Sequence, residues 1–385
     1  SVLYEKSVSD NNEIKNMLSD IANNDRTENL TKFYNAVETS KNIGLANIEC
    51  LINDEYEIDR TAIIEKIKKA NEHFISIQGC AGSGKSVIGK RLVENESLIL
   101  YARAEKFVQE KKISDIWYCN LDEALNELEE HKVVFFVDAL EFISDCFLDK
   151  IEMLQSLYNI AEKYDNVYII TTCRTEDRKA FLKLQAKYAI IIHELEDISC
   201  GELNGICKKY PLIKKLREQK VYADLLKSPF YINLIVSKMP DSQNIQDENE
   251  FRNYIWRNII CLEDKAAKYD VSSDEIRSAI EKISFTRAKK FLIGVHRTEI
   301  EEKILHILIT EGVVIQKGEY VRLKYDIFED ICFEYYFDKS FDLCKGNFQL
   351  FFEHVDSIGR CVYRRYQIWI SNKLFLQKNR EKFIY

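Results

Sequence analysis

The chain has 385 residues, 46% of them hydrophobic and 31% charged, the balance of a folded globular protein with length for two or three domains. Its 55 Lys and Arg face 63 Asp and Glu, a formal net charge of −8, which excludes a general polyanion-binding surface but leaves room for a local basic patch. Three prolines and 12 glycines are few breakers for this length, so a helix-rich chain is expected.

The 11 cysteines form no C-x-x-C pair and no zinc spacing. Reduced thiols packed as small apolar residues in the cytoplasm are the expectation. No apolar run approaches the ~20 residues that span a bilayer, and SVLYEKSVSDNNEIK at the start lacks the basic and apolar stretches of a signal peptide. No membrane contact is expected. Without an initiator Met, the chain reads as a processed product or a piece of something longer, with an output domain outside it.

In chain order, residues 1–58 are polar and read as helices with Asn/Asp-rich breaks. Helical spacing of apolar residues marks 24–37 and 57–70. FISIQG (74–79) is a buried strand ending on a glycine, and SLILYA (97–102) is a second. KVVFFVDAL (132–140) is the strongest strand signal and ends near Asp138. NVYIITTCR (166–174) and YAIIIHEL (188–195) are two more. Helical stretches at 121–131 and 147–164 lie between them. Strands alternating with helices predict an α/β fold with a mainly parallel sheet. After about residue 198 the strands stop. Short helices surround KSPFYINLIV (227–236), and helices then lead to a two-stranded ribbon over 312–325, turning at Lys317-Gly318, which suggests a winged helix-turn-helix. Residues 343–385 are aromatic, basic and helical in pattern.

Gly79-Cys80-Ala81-Gly82-Ser83-Gly84-Lys85-Ser86 fits G-x-x-x-x-G-K-[ST] at every required position. A strand precedes it and a helix from Val87 follows. Glycines let successive N–H groups curl toward phosphate oxygens, and the helix N-terminus adds partial positive charge. Lys85 is placed to bridge the β- and γ-phosphates and Ser86 to offer a hydroxyl to Mg²⁺. Cys80 contributes its backbone N–H, and its thiol pKa is one that a helix N-terminus could lower.

Asp138, at a strand's C-terminal end, suits Mg²⁺ held through water, or a helix N-cap. Glu141, three residues on, suits a base for the attacking water, or a solvated acid at a helix start. Arg174 ends the strand expected beside the phosphate-loop strand, where it can report a γ-phosphate, or pair with Glu176 or Asp177 at the surface. One strand lies between the phosphate loop and Asp138, which resembles the NTPases with an inserted strand, and that resemblance implies a five-stranded order 5-1-4-3-2. His193, at a strand end, reads as core or surface rather than ligand, and Tyr335, Tyr336 and Phe337 as core. Pro229 reads as the first helical residue after a Ser228 cap.

Together I-D-R (58–60), GCAGSGKS (79–86), VVFFVDALE (133–141), IITTCR (169–174), LLKSPFYINLI (225–235) and VRLKYDIFED (321–330) resemble the STAND class of P-loop NTPases, related to AAA+ proteins and including NACHT and NB-ARC proteins. The resemblance implies an N-terminal helical segment (1–56), a nucleotide-binding domain (57–198), a helical lid (199–245), a winged helix (246–342) and the start of a C-terminal helical region (343–385). It implies Arg60 near the base, Arg174 as γ-phosphate sensor, Pro229 against adenine, and Tyr325 where many relatives carry a histidine for the ADP phosphate. It also implies a slow ATPase acting as a nucleotide-gated oligomerisation switch with a protein trigger, as in bacterial members that act against phage. ATP or ADP with Mg²⁺ are the expected ligands. The alternative is a nucleic-acid remodelling ATPase. In its favour, Arg360, Arg364, Arg365, Lys373, Lys378, Arg380 and Lys382 face only Glu381 in the tail, interleaved with Tyr363, Tyr366 and Trp369.

Overall fold

A computed structural model describes residues 25–144, 148–239, 245, 248–290, 292–345, 347–359 and 362–376. The chain divides into two units, residues 1–210 with 227–233, and residues 211–226 with 234–385.

The first unit opens with the helix Asp25–Thr39 and a small antiparallel hairpin, β1 (Leu51–Ile52) with β2 (Tyr56–Glu57). The hairpin departs from the helical reading of this stretch. Asn53 and Asp54 turn it with φ of 50° and 56°, a left-handed pair that short Asn/Asp side chains tolerate. The helix Thr61–Ala70 leads into the main sheet. Its strands are β3 (Phe74–Gly79), β4 (Leu98–Arg103), β5 (Val133–Asp138), β6 (Val167–Arg174) and β7 (Ile191–Glu194). All pairings are parallel, in the order β4-β5-β6-β3-β7. Numbered among themselves from the far edge, these strands run 5-1-4-3-2.

Alternation along the strands builds two cores. Val133, Phe135 and Val137 join Leu100 and Ile169 on one face, under Leu154, Leu157 and Tyr158 of the helix Leu148–Ala161. Val134 and Phe136 join Ile75, Ile77 and Ile99 on the other, under Ile88, Leu92 and Val93 of the helix Lys85–Val93. Period-two side chains feeding both faces are what a fully covered parallel sheet requires. A five-stranded parallel sheet with a glycine-rich loop after a central strand is the P-loop NTPase α/β fold.

Two elements are shorter than their patterns predict. The helix expected over 121–131 ends at Asn126. The Asn166 side chain takes the Leu128 and His131 carbonyls at 2.7 and 2.6 Å, and Leu128 N–H bonds back to Leu125 as a tight turn. The last strand starts at Ile191 because Ile190 N–H returns to Gln185 O and Ala189 is left-handed, φ 49°.

The second unit holds the helices Ser273–Lys290, Glu302–Thr310 and Asp326–Leu343 with an antiparallel sheet. This sheet pairs β10 (Tyr320–Leu323) with β9 (Val314–Lys317) and with β8 (Val295–His296). The two-residue β8 makes three strands of the expected ribbon of two. The helices Phe348–Ile358 and Tyr363–Leu376 follow. Phe337 and Phe351 pack on Trp369 at ring-centroid distances of 5.9 and 5.3 Å, Tyr335 stacks on Trp256, and Tyr336 packs on Phe285. Among the described residues no helix is long and apolar enough to cross a membrane.

Candidate nucleotide site

The chain leaves β3 at Gly79, curls through Cys80, Ala81, Gly82, Ser83 and Gly84, and enters the helix at Lys85. Gly82 and Gly84 have φ of 75° and 93°, the left-handed region that any side chain resists. Lys85 is 8% exposed. Its Nζ donates to the carbonyls of Gly79 at 2.9 Å and Cys80 at 2.7 Å. Burial holds the ammonium below its usual pKa. The Ser83 hydroxyl is buried with no partner among the described residues.

Adjacent strand ends supply the acids. Ser86 Oγ donates to Asp138 Oδ1 at 2.8 Å, joining positions 52 residues apart. Thr172 Oγ1 donates to the same oxygen at 2.5 Å and accepts the Ala139 N–H at 2.8 Å. Tyr101 OH lies 3.4 Å from Asp138 Oδ2. Burial pushes the Asp138 carboxyl up, while the Arg103 charge and the Thr172 and Ser86 bonds oppose that rise. Ala139 is left-handed, φ 65°, and the Leu140 N–H donates to Thr172 O. The strained turn after Asp138 is therefore tied to β6, which aims the following helix and Glu141. Glu141 Oε1 accepts from Arg174 Nε at 3.0 Å. Both side chains are buried, so the acid read as a base and the arginine read as a sensor meet in one ion pair.

A phosphate chain fits these residues. The loop offers a buried hydroxyl without a partner and an ammonium whose two bonds, the only ones it makes among the described residues, go to its own loop. Ser86 and Asp138 set a hydroxyl beside a carboxylate, the oxygen donors that Mg²⁺ takes together with water and phosphate. Among the described residues no group of three or more His, Cys, Asp or Glu could hold a metal.

The other expected residues fall as follows. Pro229 stands with Ser228 and Phe230 against the loop, its Cγ 3.9 Å from where a Gly84 Cβ would be. Arg60 precedes the helix Thr61–Ala70, pairs with Glu202 at 2.5 Å and donates to the Glu196 carbonyl at 3.0 Å. Val87 lies in the first turn after Lys85. Tyr325 belongs to the second unit, where its ring meets Phe328 edge-on. Cys80 corrects an expectation: partial burial and the Glu176 and Asp197 carboxylates push its thiol up, not down. His193 Nε2 lies 3.1 Å from Glu72.

Two residues of the basic tail are also corrected. Arg365 is buried and bonds Asp330 at 3.0 Å and Glu329 at 3.4 Å. Trp369 is 3% exposed and donates to Asp338. Neither is a platform for bases. Arg360, Lys378, Arg380, Glu381 and Lys382 lie outside the described residues, as does the N-terminal segment through residue 24.

Sequence reading passed over Thr172, Tyr101, Arg103 and Glu105. Arg103 pairs in register with Asp138 across the sheet, donates to the buried Glu105 at 3.0 Å and lies 5.4 Å from the Phe142 ring centroid. The available signal was position: each of these residues ends, precedes or follows the end of a strand flanking β5.

No protein-family model matches the chain, and no curated protein is similar to it. Solved structures are loosely similar. The Walker-type ATPase of Pyrococcus abyssi shares 12% identity at a TM-score of 0.40, over 74% of this chain and 97% of that one. The Orc1 protein of Aeropyrum pernix in complex with DNA shares 10% at 0.35, over 73% and 93%. AMPPCP-bound DnaA from Aquifex aeolicus shares 17% at 0.35, over 58% and 75%.

Proposed function

We propose that this chain binds ATP and ADP at residues 79–87 and cleaves ATP slowly, as a nucleotide-gated switch of the STAND kind. The observation that carries the nucleotide reading is the meeting of Ser86 with Asp138 at 2.8 Å beside the Lys85 loop. Lys85 neutralises phosphate charge, and the loop N–H groups hold the phosphate oxygens. Ser86 and Asp138 hold Mg²⁺, which when bound supplies charge neutralisation to the phosphates. Glu141 takes a proton from the attacking water, and Arg174 stabilises charge on the terminal phosphate. The bond between Arg174 Nε and Glu141 Oε1 ties the two groups to each other, which suits slow turnover.

The switch reading draws support from the order of the STAND-like segments and from the helix–ribbon–helix make-up of 273–343, read as a winged helix. Pro229 against adenine and Arg60 near the base belong to the same reading, and the role of Tyr325 follows the resemblance alone. A switch from 1:99 to 99:1 needs ATP to favour the open state by about 5.5 kcal/mol. Action against phage and a protein trigger follow the resemblance alone. The test is native mass with ADP and with a non-hydrolysable ATP analogue. The switch predicts a monomer with ADP and a multimer with the analogue; the same mass in both sinks it. Affinity for nucleic acid that falls steeply with salt would favour the remodelling alternative instead.

A further inference from the structure

Seven residues beyond Tyr210, Lys227–Asn233, belong to the first unit, flanked on both sides in the sequence by residues of the second. Two of them hydrogen-bond the phosphate loop. Ser228 Oγ donates to the Gly82 carbonyl at 3.2 Å. The Phe230 N–H donates to the same carbonyl at 3.3 Å. A Cβ on Gly82 would stand 2.7 Å from Phe230 Cβ and 3.1 Å from Ser228 Oγ. The carbonyl at the loop's apex thus accepts two bonds from a segment about 146 residues away, as many as its lone pairs allow.

A trans peptide points its carbonyl and the next N–H in opposite directions. Holding the Gly82 carbonyl on Ser228 and Phe230 therefore turns the Ser83 N–H away from that segment. It closes across the loop on the Cys80 carbonyl at 3.3 Å, a long bond that a phosphate oxygen can outcompete. We propose that Ser228 and the Phe230 amide are positioning groups for the phosphate site: they fix the 82–83 peptide plane and so present the Ser83 N–H to phosphate. The proposal rests on the nucleotide reading above and adds to it a specific external support for the loop. Because the loop cradles phosphates common to both nucleotides, the support acts on ADP and ATP alike, unlike Arg174, which separates them.

The experiment measures Kd for ADP and for a non-hydrolysable ATP analogue in the intact chain and in Ser228→Ala, Ser228→Thr and Lys85→Ala. It adds the Tm of each nucleotide-free protein and amide exchange over residues 80–84. Ser228→Ala is expected to weaken both ligands by the same factor, about three- to tenfold for one lost hydrogen bond. Loop exchange should speed up with little change in Tm, and Ser228→Thr should restore affinity. Wild-type affinity in Ser228→Ala, with binding lost in Lys85→Ala, overturns the positioning role and leaves the nucleotide reading intact. A fall in Tm that tracks the loss of affinity, unrescued by threonine, also overturns it, as a merely structural bond. Unchanged binding in Lys85→Ala overturns the nucleotide reading itself.

Discussion

Thr172 shows how one hydroxyl organises the acidic end of the site. It donates to Asp138 and accepts from Ala139, so it orients the carboxylate and holds the strained backbone after it. Thr172→Val keeps the shape and drops both bonds. It should cost about 1–3 kcal/mol in urea unfolding, because a buried N–H and a carboxylate oxygen each lose a partner. A loss under about 0.5 kcal/mol would mean that the two groups repair themselves. Glu141→Gln tests the base. ATP cleavage should fall by about 10² or more while the analogue still binds. A fall below about tenfold would leave Glu141 as no more than the partner of Arg174. The phosphate-loop motif marked Lys85 and Ser86, and its place at the end of the strongest strand run marked Asp138. Thr172 was not legible. Its role comes from the register that places β5 beside β6, and the run Ile-Ile-Thr-Thr carries no mark of which hydroxyl faces an acid.

Among the elements, the five sheet strands were readable from apolar runs bounded by glycine or charge. Bounds shifted where side chains or turns intervened, as at Ile191 for the last of these strands and at Asn126 for the helix before β5. The hairpin at 51–57 and the short β8 escaped notice because two-residue strands have no periodicity to read. Hydrogen bonds join the phosphate loop to the start of the helix Pro229–Lys238, although sequence separates them widely. Gly82→Ala probes that union. The added methyl meets both a left-handed backbone and Phe230 Cβ, and so should cost about 1–3 kcal/mol of stability and weaken nucleotide at least tenfold. Wild-type stability and affinity would show that the loop tolerates another path.

For the whole molecule, the net charge of −8 argues against a general polyanion-binding surface, and within the tail Arg365 and Trp369 are buried. The pattern of basic and aromatic residues misled because it does not say which side chains fold inward. Arg365 joins Glu329 and Asp330, and Arg287 also pairs with Glu329. Arg365→Ala should therefore destabilise the second unit by about 3–5 kcal/mol, the order for breaking a buried ion network, read by Trp fluorescence in denaturant. A change within about 0.5 kcal/mol would place Arg365 in water.

The most direct measurement is calorimetric titration of ATP and ADP into the intact protein and into Lys85→Ala. The wild-type chain should take up one nucleotide per chain and gain about 2.7 kcal/mol of stability at a hundredfold excess over Kd, and the variant should show neither heat nor gain. Equal uptake by both proteins, or none by the wild type, would contradict the assignment of residues 79–86 as the phosphate site.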